Sequence, residues 1–227
     1  MPPEFVGACG RTQLRQHDLR HFGVEHEPHG ELAGAADALV LGDPMDYATD
    51  IGPVIDAEAC DKLTSHKAQM AKLAKTILDL PLPTYAAHGT FVSPAAYEIE
   101  AISLLKREVF GPVLHVVRFA GNRMAEVCDA LNATGFGLTL GLHTRIESTV
   151  NEVRRRVRVG NMYVNRNQIG AVVGAQPFGG EGLSGTGPKA GGGHYMHRFA
   201  TERVCSTDTT ASGGNAALMS METAPKN

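Results

Sequence analysis

Between Gln176 and Gly192 the chain reads Gln-Pro-Phe-Gly-Gly-Glu-Gly-Leu-Ser-Gly-Thr-Gly-Pro-Lys-Ala-Gly-Gly, too rich in glycine for ordinary helix or strand. Glycine costs about 0.5–1 kcal/mol per residue in a regular element, so such a run is kept where backbone turns with positive φ or closely approaches another group. Phe178, Leu183 and the two prolines are out of place in a flexible linker. The Walker pattern of Gly, four residues and Gly-Lys-Ser/Thr is not spelled, and no apolar strand leads directly into the run. What is left is a shaped loop. Four cysteines could supply a nucleophile or metal ligands, but Cys9, Cys60, Cys128 and Cys205 are widely spaced without a Cys-x-x-Cys pair. That usage fits a reducing compartment better than a disulfide scaffold, and gives metal ligation little support. His17, His21, His26 and His29 lack cysteine or carboxylate at a zinc-like spacing and read as a solvated tail, so no metal is expected. Arg154-Arg155-Arg156 with Arg158, in a chain of net charge -3 without an aromatic stacking surface, reads as a solvated helix face and not a nucleic-acid patch.

Two stretches carry a family resemblance. Gly170 to Gly192 resembles the end of the aldehyde dehydrogenase catalytic domain, where Pro-Phe-Gly-Gly and a following Ser-Gly-x-Gly close the substrate tunnel. Glu108-Val109-Phe110-Gly111-Pro112 is similar to that family's Glu-x-Phe-Gly-Pro, a signature of its NAD site. The two motifs stand in the family's order, which is more specific than either alone. Asn165 to Gly174, with Thr209-Thr210-Ala211-Ser212-Gly213-Gly214-Asn215, further resembles the glutamate-semialdehyde dehydrogenase module at the carboxyl end of the bacterial bifunctional proline utilization A enzymes. The resemblance runs from about Ala33 to the mid-210s and leaves out the start.

The resemblance implies an oxidoreductase of proline catabolism that oxidises L-glutamate γ-semialdehyde to L-glutamate with NAD as cofactor; FAD would belong only to a proline dehydrogenase module not present in this chain. Glu108 matches the carboxylate that accepts from the nicotinamide ribose hydroxyls, and Phe110 the aromatic beside the nicotinamide; without the motif, Glu108 is a surface charge before a turn. Gly170 and Ala171 match the aldehyde anchor loop, whose backbone N–H groups bind the substrate carboxylate. Phe178 matches the aromatic on the substrate's aliphatic chain. The nucleophilic cysteine of such enzymes sits in a Gly-Gln-x-Cys motif near where this chain starts, and Cys9 is a candidate by position alone, since Gly7-Ala8-Cys9-Gly10 does not spell it. Cys60, Cys128 and Cys205 read as structural. The family's Rossmann domain is also absent. The expectation is an inactive carboxyl-terminal fragment, its opening residues read from a shifted frame. The alternative is a non-catalytic assembly or binding module that pairs through an exposed sheet edge and a flap with a further copy or the missing portion of the enzyme. Another aldehyde substrate would require a bulkier or more apolar anchor loop.

These motifs need a scaffold, and 227 residues with 43% hydrophobic content can build one. No apolar run reaches the ~18 residues of a membrane span. Met1-Pro2-Pro3-Glu4 lacks the basic start of a signal peptide, so a soluble cytoplasmic protein is expected. Residues 1–30 keep no period and are expected to be poorly ordered; a catalytic portion should cover 31–200, an oligomerisation flap strand 201–216 and a loose tail 217–227. Leu32, Ala35, Ala36 and Leu39 fit one helix face. Asp56 reads as the N-cap of a helix whose stripe of Ala59, Leu63, Met70, Leu73, Ile77 and Leu80 runs to Pro81, with His66 a partly buried structural histidine near it. Strands are expected at Thr90–Val92, Val113–Phe119, Leu138–Leu142 and Asn161–Val164, with helices around Met124–Leu131 and over Ile146–Val157. That alternation predicts an α/β fold with a parallel βαβ core and helices on both faces.

Overall fold

In the computed structural model, which describes residues 5–7, 28–168, 170–171 and 174–208, the chain opens with strand β1 (Phe5–Gly7) and helix α1 (Pro28–Asp37). Pro28 suits a first helical turn, where its missing N–H is not needed. Ala36 is buried, and Leu32 and Leu39 pack around it against Leu78 and Ala96 as the stripe predicts, with Ala33 joining them where the stripe named Ala35. Cys9 and the tail 217–227 lie outside the described residues.

Helix α2 (Ala57–Leu73) starts where Asp56 predicts, its carboxylate accepting from the Ala59 N–H at 2.7 Å. Asp56→Ala should cost about 1 kcal/mol, read as a lower urea midpoint at unchanged denaturant slope. Leu63 and Met70 are buried with Tyr97, Ile99 and Val113, and Val109 packs on the same cluster. The helix stops at Leu73, short of the expected Pro81, and strand β2 (Lys75–Asp79) follows. Ile77 and Leu80 keep helical spacing by coincidence. The β-branched Thr76 and Ile77 lie instead in a strand paired with strand β3 (Ala95–Glu98), where Thr76 faces Tyr97 and a bulge at Ile77 lets both Ile77 and Leu78 pack against α1.

The strand expected at Thr90–Val92 is displaced. Thr90 instead closes a local loop, its hydroxyl donating to Val54 O and its carbonyl accepting from Val54 N, each at 2.7 Å. The actual strand, β3, lies between antiparallel β2 and parallel β4 (Val113–Val116). Its alanines are the consequence of that central place, for Ala95, Ala96 and Tyr97 are at most 2% exposed. The Tyr97 hydroxyl donates to Asp79 at 3.2 Å; burial and that carboxylate push its pKa up to about 12. Lys67 ties Asp79 (2.8 Å) and the Ser93 hydroxyl (2.9 Å) to α2. β4 is an edge strand with Leu114 exposed, not covered on both sides as expected.

Helix α3 (Met124–Ala133), strand β6 (Thr139–His143), helix α4 (Glu147–Arg156) and strand β7 (Asn161–Val164) lie close to their expected positions, and a short strand that was not expected, β5 (Phe136–Gly137), precedes β6. β6, α4 and β7 form a parallel βαβ unit, with β1 antiparallel on the other edge of β6. Met124 and Cys128 of α3 and Val153 of α4 bury the same residues, Leu140 and Leu142 of β6. Two expectations therefore need correction: the parallel pairs belong to two separate small mixed sheets, and α3 and α4 pack on one face of β6, not on opposite faces. A short ladder joins β5 to β8 (Glu181–Gly182).

This unit ends at Gly192, and residues from Gly193 form a second one. Its described part holds a 3-10 turn at Tyr195–Phe199, where the Tyr195 and Phe199 rings meet edge-on at 5.5 Å. Residues 201–208 are exposed and form no strand where a flap strand was expected; Thr209 to Asn215 lie outside the described residues. No described helix is long and apolar enough to cross a membrane.

Candidate functional site

Glu108 and Phe110 stand on the loop that leads into β4, and both are exposed, Phe110 at 60%. Val109 between them turns inward onto the buried cluster that contains Leu63 and Val113. The loop is therefore pinned by its middle residue, leaving a carboxylate and an aromatic face for a ligand. That pair fits a nicotinamide riboside: the carboxylate can accept from two hydroxyls and the ring offers an apolar face.

Gly170, Ala171 and Phe178 are brought together near the β6-β7 sheet. A methyl group placed on Gly170 would lie 3.7 Å from Cζ of Phe178, so even the smallest side chain there would touch the ring. Val172 and Val173 of the same loop lie outside the described residues. Phe178 is half-buried and fixed by reciprocal backbone bonds with Ala190, each 3.0 Å.

Two residues that motif reading did not single out hold this loop. Asn161, the first residue of β7, donates from Nδ2 to Pro177 O at 3.0 Å and accepts at Oδ1 from Gly179 N at 3.2 Å. The Lys189 ammonium donates to Gly179 O at 3.0 Å, to Asn161 Oδ1 at 3.3 Å and to Gly160 O. One cation thus satisfies three acceptors and staples the glycine run across the start of β7. A lone lysine amid glycines was the available signal. The far part of the run docks on β5, where Leu183 N donates to Gly135 O at 2.9 Å and Ser184 Oγ accepts from Gly137 N at 3.0 Å. The shaped loop is accordingly one folded piece, with Phe178 near one end and β8 in its middle.

The described cysteines of the first unit do not sit at this loop. Cys128 is 1% exposed within the α3–α4 cluster, and burial pushes its thiol pKa up, away from thiolate. Cys60 donates to Phe91 O at 3.6 Å beside α2, and Cys205 is exposed in the second unit.

Residues 21–204 match the family model described as "Aldehyde dehydrogenase family". The chain is 49% identical to the bifunctional protein PutA of Klebsiella aerogenes over 177 residues, covering 76% of this chain and 14% of that protein. It is also similar to the crystal structure of Bradyrhizobium japonicum proline utilization A (PutA) mutant D779Y, with 52% identity, a TM-score of 0.74, and coverage of 82% of this chain and 19% of that one. A 1-pyrroline-5-carboxylate dehydrogenase from Thermus, solved with bound NAD, gives 34% identity and a TM-score of 0.67 over 75% of this chain and 32% of its own. The chain thus spans about one seventh of that curated PutA. The family match over most of its length, with both motifs placed on folded loops, makes this chain a member of the aldehyde dehydrogenase family.

Proposed function

We propose that this chain forms nicotinamide- and substrate-binding parts of an NAD-dependent oxidoreductase that converts L-glutamate γ-semialdehyde to L-glutamate in proline catabolism, and that by itself it binds without turnover. The observation that supports the reading is that Gly170 faces Phe178 with room for no more than a methyl between them, on a loop locked by Asn161 and Lys189. A small residue there lets a carboxylate reach the backbone N–H groups of Gly170 and Ala171, where charge-assisted bonds contribute about 1.5–3 kcal/mol each. The Phe178 ring then covers the aliphatic chain. Kinship to PutA and to 1-pyrroline-5-carboxylate dehydrogenase supports the substrate class, since hydrolysis opens that imine to the semialdehyde. Glu108 and Phe110 would hold NAD, which accepts the hydride when bound.

Oxidation of an aldehyde and water to a carboxylate releases a hydride and two protons, and in this family it begins at a cysteine thiolate. Cys128 is buried and protonated, and Cys60 points to a backbone carbonyl. The whole reaction therefore needs a further portion of the enzyme as partner. Purified chain given NAD and the semialdehyde should produce no NADH absorbance, yet should bind L-glutamate in a calorimetric titration, about tenfold more weakly as Phe178→Ala. NADH formation that Cys9→Ala abolishes would overturn the binding-only reading and make Cys9 the nucleophile.

A further inference from the structure

The loop that presents Glu108 and Phe110 is seated on α2 beside a pair of histidines. A methyl group on Gly111 would lie 2.5 Å from Leu63 Cδ1, so the loop backbone rests directly against that side chain. His66 follows Leu63 by one turn of α2, and His115 lies two positions beyond the buried Val113 on the same face of β4. Their Nε2 atoms stand 2.8 Å apart and the ring centres 5.1 Å, so the two rings meet head-on, each nitrogen close to the line between the centres. Arg107, next to Glu108 in the chain, is the charged group that acts on His66, and His66 acts on His115. Lys62, one turn before His66, is paired with Glu58, and Tyr97, in register with His115, is a buried phenol.

We infer that His66 and His115 form a pH-sensitive latch that sets how firmly the Glu108–Phe110 loop holds NAD, a regulatory device that rests on the cofactor role proposed above. With both rings neutral, one Nε2 donates and the other accepts, and the bond ties α2 to β4 beside the loop's seat. A first proton leaves that bond intact but sets a charged ring against the Arg107 guanidinium, on the segment that carries Glu108. A second proton removes the acceptor. Burial, and after it Arg107, hold His66 below the usual histidine range; burial, with His66, holds His115 down to about 4. Once the latch opens, both rings return toward 6.5. Between pH 6.5 and about 4 the open form therefore takes up more protons than the closed one, and acid favours opening; above 6.5 the latch is fully in place.

The test is an NMR titration of the whole chain with NAD at pH 7.5 and at pH 5.5, a range above that of ordinary carboxylates. NAD should bind about threefold or more tightly at pH 7.5. His66→Gln keeps an amide that can bond the facing ring and leaves nothing to titrate at that position, so it should match the unmodified chain at pH 7.5 and lose little affinity at pH 5.5; His115→Gln should do the same. Equal affinities at the two pH values in the unmodified chain, or a fall as large in both variants, overturns the inference. Hydrogen exchange at the Ala95 amide, which donates to Pro112 O at 3.0 Å where the loop enters β4, reads the latch without a ligand. After correction for intrinsic rates it should quicken at pH 5.5 in the unmodified chain and not in His66→Gln. NAD binding at neither pH also overturns the inference: an Ala95 response then assigns the failure to the cofactor role of Glu108 and Phe110, and no response assigns it to the latch.

Discussion

Gly160→Ala is expected to cost the first unit about 3 kcal/mol or more and to release the loop from Pro177 to Lys189. An alanine methyl at this position would lie 1.8 Å from Gly179 O and 2.8 Å from Gly180 Cα. Both are backbone atoms, so no rotamer change relieves the overlap, and β7 or the loop must move. That movement pulls apart the acceptors gathered by Lys189, since Gly160 O, Gly179 O and Asn161 Oδ1 all bind its ammonium group. Hydrogen bonds to charged groups are worth about 1.5–3 kcal/mol each, so losing part of the cluster adds to the steric cost. Two measurements follow: the urea midpoint of the chain, and hydrogen exchange at the Phe178 and Ala190 amides, which close the loop at 3.0 Å. The contrast is Gly174→Ala, where φ is 80° but no heavy atom lies within 4 Å of the added methyl. Backbone strain there should cost about 1–2 kcal/mol. Should both substitutions give the same exchange at Phe178 and Ala190, close approach at Gly160 does not hold the loop.

What could be read from residues alone divides along a physical line. Asp56 announces α2 because an N-cap acts within three residues, and the stripes of α3 and α4 are visible because amphipathic periodicity is local. β2 was hidden because Ile77 and Leu80 extend a helical spacing that only pairing with β3 overrides. β3 was hidden because a central strand flanked on both sides can be built from alanine, which carries little strand signal. For the candidate site, motif reading singles out Glu108, Phe110, Gly170, Ala171 and Phe178, since each sits in a contiguous pattern. The Asn161–Lys189 clamp spans 28 positions. Contacts of that kind are properties of topology, and nothing in one chain's local composition encodes them.

Acidification from pH 7.5 to pH 5 is expected to lower the melting temperature of the chain, and His66 and His115 are the cause. Their Nε2 atoms stand 2.8 Å apart, between the middle of α2 and β4, with the rings edge-to-face. Such a bond needs one nitrogen to donate and the other to accept, so it survives only while at least one ring is neutral. Burial holds His115 down to about 4, with His66 adding to the effect; burial and then the Arg107 guanidinium lower His66. Unfolded, both rings titrate near 6.5. Between pH 6.5 and about 4 the unfolded chain therefore binds more protons than the folded one, and stability falls as pH falls; above 6.5 the contribution is complete. The loss falls near the loop of Glu108 and Phe110. Leu63, one turn before His66 on α2, belongs to the same buried cluster as Val113, and Val109, which packs on that cluster, pins the segment that presents Glu108 and Phe110. His115→Phe removes one titrating ring and the short contact together, so its melting temperature should change much less between pH 7.5 and 5. A pH response as steep in His115→Phe and His66→Phe as in the unmodified chain would move the effect to other groups. If the pair is responsible, hydrogen exchange at Val113 should quicken on acidification, after correction for intrinsic rates, more than at Phe178, which is held by Lys189 and not by histidine.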